Sequence, residues 1–180
     1  MTDGAPPARL LPARPFPPYA FVSPHWPHPV EHPDGHSRGR IEAPAEPLDP
    51  ADWRRSQDYL FGFDLWNHGY YWEAHEAWEG LWRVNDEPAI DALLRGLIKL
   101  AAAGVKVRQR MPRGVRIHAE RAAAHFDDVR SLTGSGAFCG LDMEALRARS
   151  LDLASNAEAL LGDSTKRVEV VFAFKLEPDR

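Results

Sequence analysis

Apolar residues recur every three to four positions over most of the chain after residue 49, which is the spacing of amphipathic helices. Glycine- or proline-containing stops at 67–69 and 85–88 separate the apolar runs. The third run, from Glu87, is apolar on most sides, which is typical of a central bundle helix. Asp49 and Asp142 are placed to cap the first and fifth helices. Five helices are predicted, at about 50–66, 70–84, 87–110, 115–132 and 142–161.

The two ends of the chain follow different patterns. Thirteen of the 16 prolines lie in the first 50 residues, a density that excludes helix, although aromatic residues there favour an arm that wraps the bundle. From Val168 to Leu176 apolar and polar residues alternate, which indicates a strand, and residues 19–22 are its expected pairing partner. The predicted fold is all-α, a five-helix bundle (49–162) with a Pro-rich N-terminal arm (1–48) and a short C-terminal β-strand and tail (163–180).

Composition narrows the function classes. The 180 residues include 22 Lys+Arg and 26 Asp+Glu, and the net charge of −4 argues against a dedicated nucleic-acid binder. A single cysteine, Cys139, excludes an internal disulfide and a multi-cysteine zinc cage, and no base stands near it in sequence. There is no signal-peptide pattern and no apolar run of about 20 residues, so we expect a cytoplasmic protein without a membrane partner. Other partners stay unknown, and a homo-oligomer stays open.

Candidate chemistry concentrates in the second helix. At about 100° per residue, His75 and Glu79 lie one turn apart at the edge of its buried face, whereas Glu73 and Glu76 are expected to point toward water. Such a pair suits two ligands of a metal ion, or a catalytic base oriented by an acid. The alternative is a structural pair that satisfies its own hydrogen bonds. The His-Glu-x-x-Glu (HExxE) motif lacks the second imidazole of the zinc proteases, so that assignment is rejected.

Two histidines of the fourth helix could complete a metal site. Catalytic zinc needs three protein ligands, and the second helix offers two. His118 and His125 are seven residues apart on an apolar face, so either could join His75 and Glu79 if helices two and four face each other. The cofactor stays unknown, with a divalent metal ion as the candidate; its candidate ligands are His75 and Glu79 together with His118 or His125. The ferritin-like Glu-x-x-His pattern is absent.

Aromatic residues of the second helix support a second class of function. Tyr71, Trp78 and Trp82 lie beside the His–Glu pair and are the predicted ligand-binding residues. Indole-rich surfaces often anchor partners, so a non-catalytic binding module that uses this region is the alternative to an enzyme. The four histidines of the arm are interpreted as incidental, and the basic stretch from Arg95 to Arg116 as a solvated face.

The order of these residues resembles a known family. The pattern runs Asn67-x-Gly69-x-Tyr71-x-x-x-His75-Glu76-x-x-Glu79-x-x-Trp82, then Gly96-Leu97-Ile98-Lys99-Leu100-Ala101-Ala102-Ala103, then Gly140-Leu141-Asp142. Over about residues 52–161 it is similar to the domain of unknown function 309 family. The resemblance implies a small helical bundle of the class called predicted metal-dependent hydrolases, with His75, Glu79 and Trp82 as motif positions and Tyr71 and Glu76 beside them. Similar sequences often carry a histidine late in the third helix, where this chain has Gly104-Val105-Lys106.

Overall fold

Five α-helices follow one another along the chain, and each packs against the next. The computed structural model describes residues 7–40 and 43–179. The predicted all-α bundle of five helices is confirmed, and none of the described helices combines the length and the apolar character that crossing a membrane requires. The helices are α1 (Gln57–Asn67), α2 (Tyr71–Trp82), α3 (Pro88–Arg108), α4 (Pro112–Thr133) and α5 (Met143–Ser155).

The central position belongs to α3, as its apolar surface predicts. It packs against α2 on one side and α4 on the other. Leu93, Leu94, Leu97 and Leu100 have no solvent exposure, because both flanks of the helix are covered.

Local signals set the helix starts, and one of them differs from the prediction. The Asp142 carboxylate accepts a hydrogen bond from Ala145 N–H at 2.9 Å, which confirms the predicted cap of α5. The predicted first helix start near residue 50 is wrong, because Trp53–Arg55 form a 3-10 turn and the extended backbone of Ser56 interrupts the chain before α1 begins. The fifth helix ends at Ser155, before the predicted position 161.

A two-stranded antiparallel sheet lies between α4 and α5. Its strands are β1 (Ala137–Phe138) and β2 (Leu141–Asp142), and Gly140 at the turn has φ +78°. The predicted strand at 168–176 is absent from the described residues; this segment is irregular, with bends at 168 and 173–174, and pairs with no strand. One backbone hydrogen bond, from Ala20 N–H to Arg167 C=O at 2.9 Å, joins it to the arm in place of the expected ladder.

Side chains of the helices take the place of a neighbouring strand for the C-terminal segment. The Asn67 amide accepts from Leu176 N–H at 2.9 Å and donates to Leu176 C=O at 2.8 Å. The Tyr71 hydroxyl accepts from Val171 N–H at 3.0 Å. Phe172 is buried in a stack on Trp66, and Leu176 is also buried, whereas the other apolar positions of the alternating pattern are only half-buried. The pattern therefore identified two buried residues, and helix side chains replaced the strand as hydrogen-bond partner.

The N-terminal segment packs on the bundle, as its aromatic residues predict. Tyr19 and Val22 of this segment are buried, and its Phe16 stacks on Tyr70 with ring centroids 4.8 Å apart. The buried Asp64 carboxylate accepts hydrogen bonds from two successive backbone N–H groups near residue 10, at 2.7 and 2.8 Å. The proline-rich chain thus gains fixed partners from helix side chains rather than from secondary structure of its own.

Candidate functional site

The second helix brings one imidazole and two carboxylates together at its surface. His75 Nδ1 lies 3.5 Å from Glu76 Oε1 and 3.5 Å from Glu79 Oε2. One ligand atom of each residue lies within 4.8 Å of those of the other two. This is the one group of three or more potential metal-ligating side chains of His, Cys, Asp and Glu found among residues 7–40 and 43–179. The predicted pair of His75 and Glu79 is therefore joined by a third residue.

Two features of this cluster suit a cation. His75 Nδ1 is enclosed by protein and makes no hydrogen bond, so a strong donor or acceptor position is left without a partner. A tetrahedral ion with bonds of about 2.0–2.1 Å separates its ligand atoms by about 3.3–3.4 Å, close to the distances from Nδ1 to the two carboxylates. Arg83 donates to Glu79 Oε1 at 2.9 Å and so fixes that carboxylate while Oε2 turns toward His75.

Glu76 is the residue that the sequence reasoning missed. A helical projection puts its Cα about 100° from that of His75, which suggested a solvent-facing carboxylate. The side chain of Glu76 is indeed 43% exposed, but it is long enough to turn back to the imidazole. The adjacent His-Glu pair, followed one turn later by a second acid, was the available signal.

The two histidines of α4 lie outside the cluster. His118 is near His75, and burial first, then the charges of Lys99, Lys106, Arg121 and His75, lower its pKa to about 4. Burial also lowers the pKa of His125, which lies farther along α4 with its Nδ1 3.6 Å from Asp128 Oδ2. Neither ring offers a ligand atom within 4.8 Å of all three ligand atoms of the group.

The aromatic residues beside the cluster are mostly interior. Tyr71 and Trp78 are buried, and the Trp78 indole donates to Tyr59 C=O at 3.3 Å. Trp82 is half-buried, and its indole donates to the Asp91 carboxylate at 2.6 Å. Of the three residues predicted to bind a ligand, only Trp82 offers surface, because the face that carries the other two packs into the bundle.

Glu73 does not point toward water, which corrects the prediction. Its side chain is 6% exposed because the N-terminal segment covers this side of α2. Glu73 Oε1 accepts from Phe21 N–H at 2.8 Å and lies 3.2 Å from His36 Nε2. The helical projection placed Glu73 correctly outside the bundle face, but it carried no information about the segment that packs there.

The N-terminal segment also covers part of the surface formed by the tryptophans of α2. Trp72 is half-buried, with Phe21 and His28 edge-on to its ring at 5.3 and 5.7 Å. Of the arm histidines, His36 is enclosed against Glu73, whereas His25 and His32 are exposed. A binding surface made jointly of the helix-two tryptophans is therefore not presented by this arrangement.

Two other features of the molecule carry polar or nucleophilic groups, a groove and the single cysteine. An open groove of about 660 Å³ lies between the start of α3 and the end of α4, with His125, Asp128 and Arg95 in its lining, away from the His75 cluster. Its acids and bases largely pair with one another, as Arg95 does with Asp91 at 3.0 Å. Burial raises the pKa of the Cys139 thiol to about 12, so this residue is not an activated nucleophile.

One of three comparisons with known proteins gave a match, and the match covers the helices that carry the site. Residues 59–117 match the model of a family described as a domain of unknown function (DUF309). The comparison with curated proteins gave no match, and neither did the comparison with solved structures. The matched segment includes nearly all of α1, α2 and α3 and the whole His75, Glu76 and Glu79 cluster, and the family's description names no activity. Residues 59–117, which are 59 of the chain's 180 residues, are therefore similar to the DUF309 family.

Proposed function

We propose that this protein is a metal-dependent hydrolase whose divalent cation is held by His75, Glu76 and Glu79. The observation that carries the proposal is the enclosed Nδ1 of His75, which makes no hydrogen bond and faces two carboxylates at 3.5 Å. One nitrogen and two oxygen donors suit Zn²⁺, Mn²⁺ or Fe²⁺. Three protein ligands on one helix leave further coordination positions open, as catalytic metal centres require.

Two of the three ligands, His75 and Glu79, have supports that fit this role. His75 and Glu79 project from successive turns of a helix that is packed against α1 and α3, so their separation is set by the helix backbone. Arg83 orients the Glu79 carboxylate, as the partners of metal ligands commonly do. A bound divalent cation supplies Lewis-acid chemistry that activates water near neutral pH. The partial exposure of all three side chains leaves the cluster open to solvent and substrate.

Calorimetric titration of chelator-treated protein with Zn²⁺ and with Mn²⁺ tests the cation site. We expect one equivalent to bind the unchanged protein and the His25→Ala control, which removes an exposed arm histidine. His75→Ala and Glu79→Gln should abolish that binding. Failure of the unchanged protein to bind either ion, or equal binding by His75→Ala, would overturn the proposed site.

Hydrolysis of p-nitrophenyl acetate and p-nitrophenyl phosphate by the metal-loaded protein tests the reaction. Activity should require the ion and should be lost in Glu79→Gln, while the melting temperature of that variant changes little because the carboxylate lies at the surface. A protein that binds the ion at His75 but hydrolyses neither compound would retain the cation site and contradict the hydrolase assignment. Full activity in Glu79→Gln would remove this residue from the reaction.

A further inference from the structure

A second group of charges lies beside the cluster, on the two helices that follow α2. Lys99 and Lys106 are seven residues apart on α3 and therefore share a face of the helix, and Arg121 stands three residues after His118 on α4. The Lys106 side chain lies against Gly114 of α4, one turn before His118, and α3 packs along α4, so these two helix faces adjoin. The charges of all three cations contribute to lowering the pKa of His118. We call Lys99, Lys106, His118 and Arg121 the cationic face.

The charges of the cationic face are not neutralised by the protein. Within the described ranges 7–40 and 43–179, Lys99, Lys106 and Arg121 have no carboxylate oxygen within 4.0 Å. The Lys106 ammonium donates instead to the neutral Gln109 amide at 2.8 Å. Arg116, by contrast, lies on the same helix as His118 and contacts Glu158 at 3.5 Å. Unpaired cations concentrated at one place favour the binding of an anion.

His118 adds a neutral donor to this face. Its pKa of about 4 leaves the ring uncharged at neutral pH, with one N–H. Nδ1 is enclosed without a partner, and an N–H in that position would be an unsatisfied donor. The proton is therefore better placed on Nε2, where an N–H can be donated to water or a ligand.

We propose that the cationic face binds a phosphoryl group and that the substrates are phosphate esters; this inference rests on the cation site proposed beside it. A phosphoryl group has three terminal oxygens, and Lys99, Lys106 and Arg121 offer them three charged partners. The proposed ion offsets the charges of Glu76 and Glu79, so the acids next to the face do not repel an anionic substrate. An acetyl or other carboxyl group would leave part of this charge unmatched.

The reaction balances as a hydrolysis. The oxygen of water forms a new bond to phosphorus, and the bond between phosphorus and the alcohol oxygen breaks. The released phosphate keeps the hydroxyl of the water, and the alcohol carries away its other proton. The Lys99, Lys106 and Arg121 side chains hold the non-reacting oxygens and undergo no change of their own.

Calorimetric titration with inorganic phosphate tests the cationic face directly, with metal-free and metal-loaded protein. We expect Lys99→Gln and Lys106→Gln each to weaken phosphate binding about fivefold or more, since each removes one charge-assisted contact. Arg116→Gln removes the same charge from a paired arginine elsewhere on α4, and phosphate affinity should then stay within about twofold. Acetate should bind about tenfold more weakly than phosphate. Urea midpoints of all variants verify that the fold is retained.

The outcomes separate this inference from the cation site. Four outcomes would each overturn the phosphoryl assignment, whatever the Zn²⁺ titration shows. Metal-loaded protein does not bind phosphate, or both lysine variants bind it as well as the unchanged protein does. Alternatively, Arg116→Gln weakens phosphate binding as much as the lysine variants do, or acetate binds as tightly as phosphate. Lysine-dependent phosphate binding without one equivalent of bound metal would support the cationic face and overturn the hydrolase proposal. Lysine-dependent binding that tightens when the ion is present supports both.

Discussion

Glu73→Ala tests whether the N-terminal segment is part of the folded protein. In the structure the Glu73 carboxylate is nearly enclosed and serves two groups of that segment, Phe21 N–H at 2.8 Å and His36 Nε2 at 3.2 Å. Truncation leaves both groups without their acceptor. An unsatisfied buried polar group costs about 1–3 kcal/mol, and Glu73→Ala leaves two such groups. Because the segment can open locally and hydrate these groups, we expect the free energy of unfolding to fall by about 2–4 kcal/mol.

Urea denaturation followed by tryptophan fluorescence measures this loss, and limited proteolysis reports opening of the arm. Glu120→Ala is the matched control, because it removes the same charge from an exposed position on α4 and should change stability by about 0.5 kcal/mol or less. In Glu73→Ala, cleavage within residues 16–40 should accelerate. Equal midpoints for the two variants, with unchanged cleavage, would refute the burial of Glu73 beneath the arm.

Three further predictions concern the tail, the indole and one histidine. Asn67→Ala removes both hydrogen bonds to Leu176 and should lower the free energy of unfolding by about 2–4 kcal/mol. Hydrogen exchange should show lost protection at the Leu176 amide while α3 stays protected. Retained protection at the Leu176 amide would contradict the pairing. Trp82→Phe removes the indole donor to the Asp91 carboxylate and should cost about 1–3 kcal/mol in chemical denaturation, so an unchanged midpoint would argue against that bond. Since the pKa of His118 is lowered from 6.5 to about 4, the unfolded chain binds the additional proton between these values, and stability should fall as the pH drops through this window. Partial solvation of the ring limits this loss to about 1–3 kcal/mol, and His118→Gln should show a correspondingly flatter pH dependence; an identical dependence would refute the shift.

Helices and their order could be predicted because their causes are local. The apolar period, the Asp142 cap and the glycine stop at residue 69 act within a few residues of chain, and the structure contains each of them. The start of α1 could not be placed in this way. Asp49 and Pro50 form a valid helix-start signal, but the backbone there makes a turn whose Trp53 packs into the core, and the helix begins only after Ser56.

The candidate site was half predictable for the same reason. His75 and Glu79 are one turn apart on a single helix, so their contact follows from helix geometry alone. Glu76 required the side-chain conformation to be known. The position of His118 required the packing of α2 and α4 around α3, which periodicity does not specify. Its proximity to His75, and its exclusion from the three-residue group, are results of that packing.

The amino-acid sequence by itself determined that five helices form, in which order, and which of their faces are apolar. It also determined that an imidazole and a carboxylate stand one turn apart on α2. All of these depend on interactions between near neighbours in the chain. Only the tertiary structure decided what covers the remaining polar groups. Glu73 lies beneath the arm, and Asn67 replaces a strand as the partner of Leu176, because each contact joins residues more than 30 positions apart. Such long-range contacts depend on how the assembled surfaces fit together, and this fit is encoded in no single stretch of sequence.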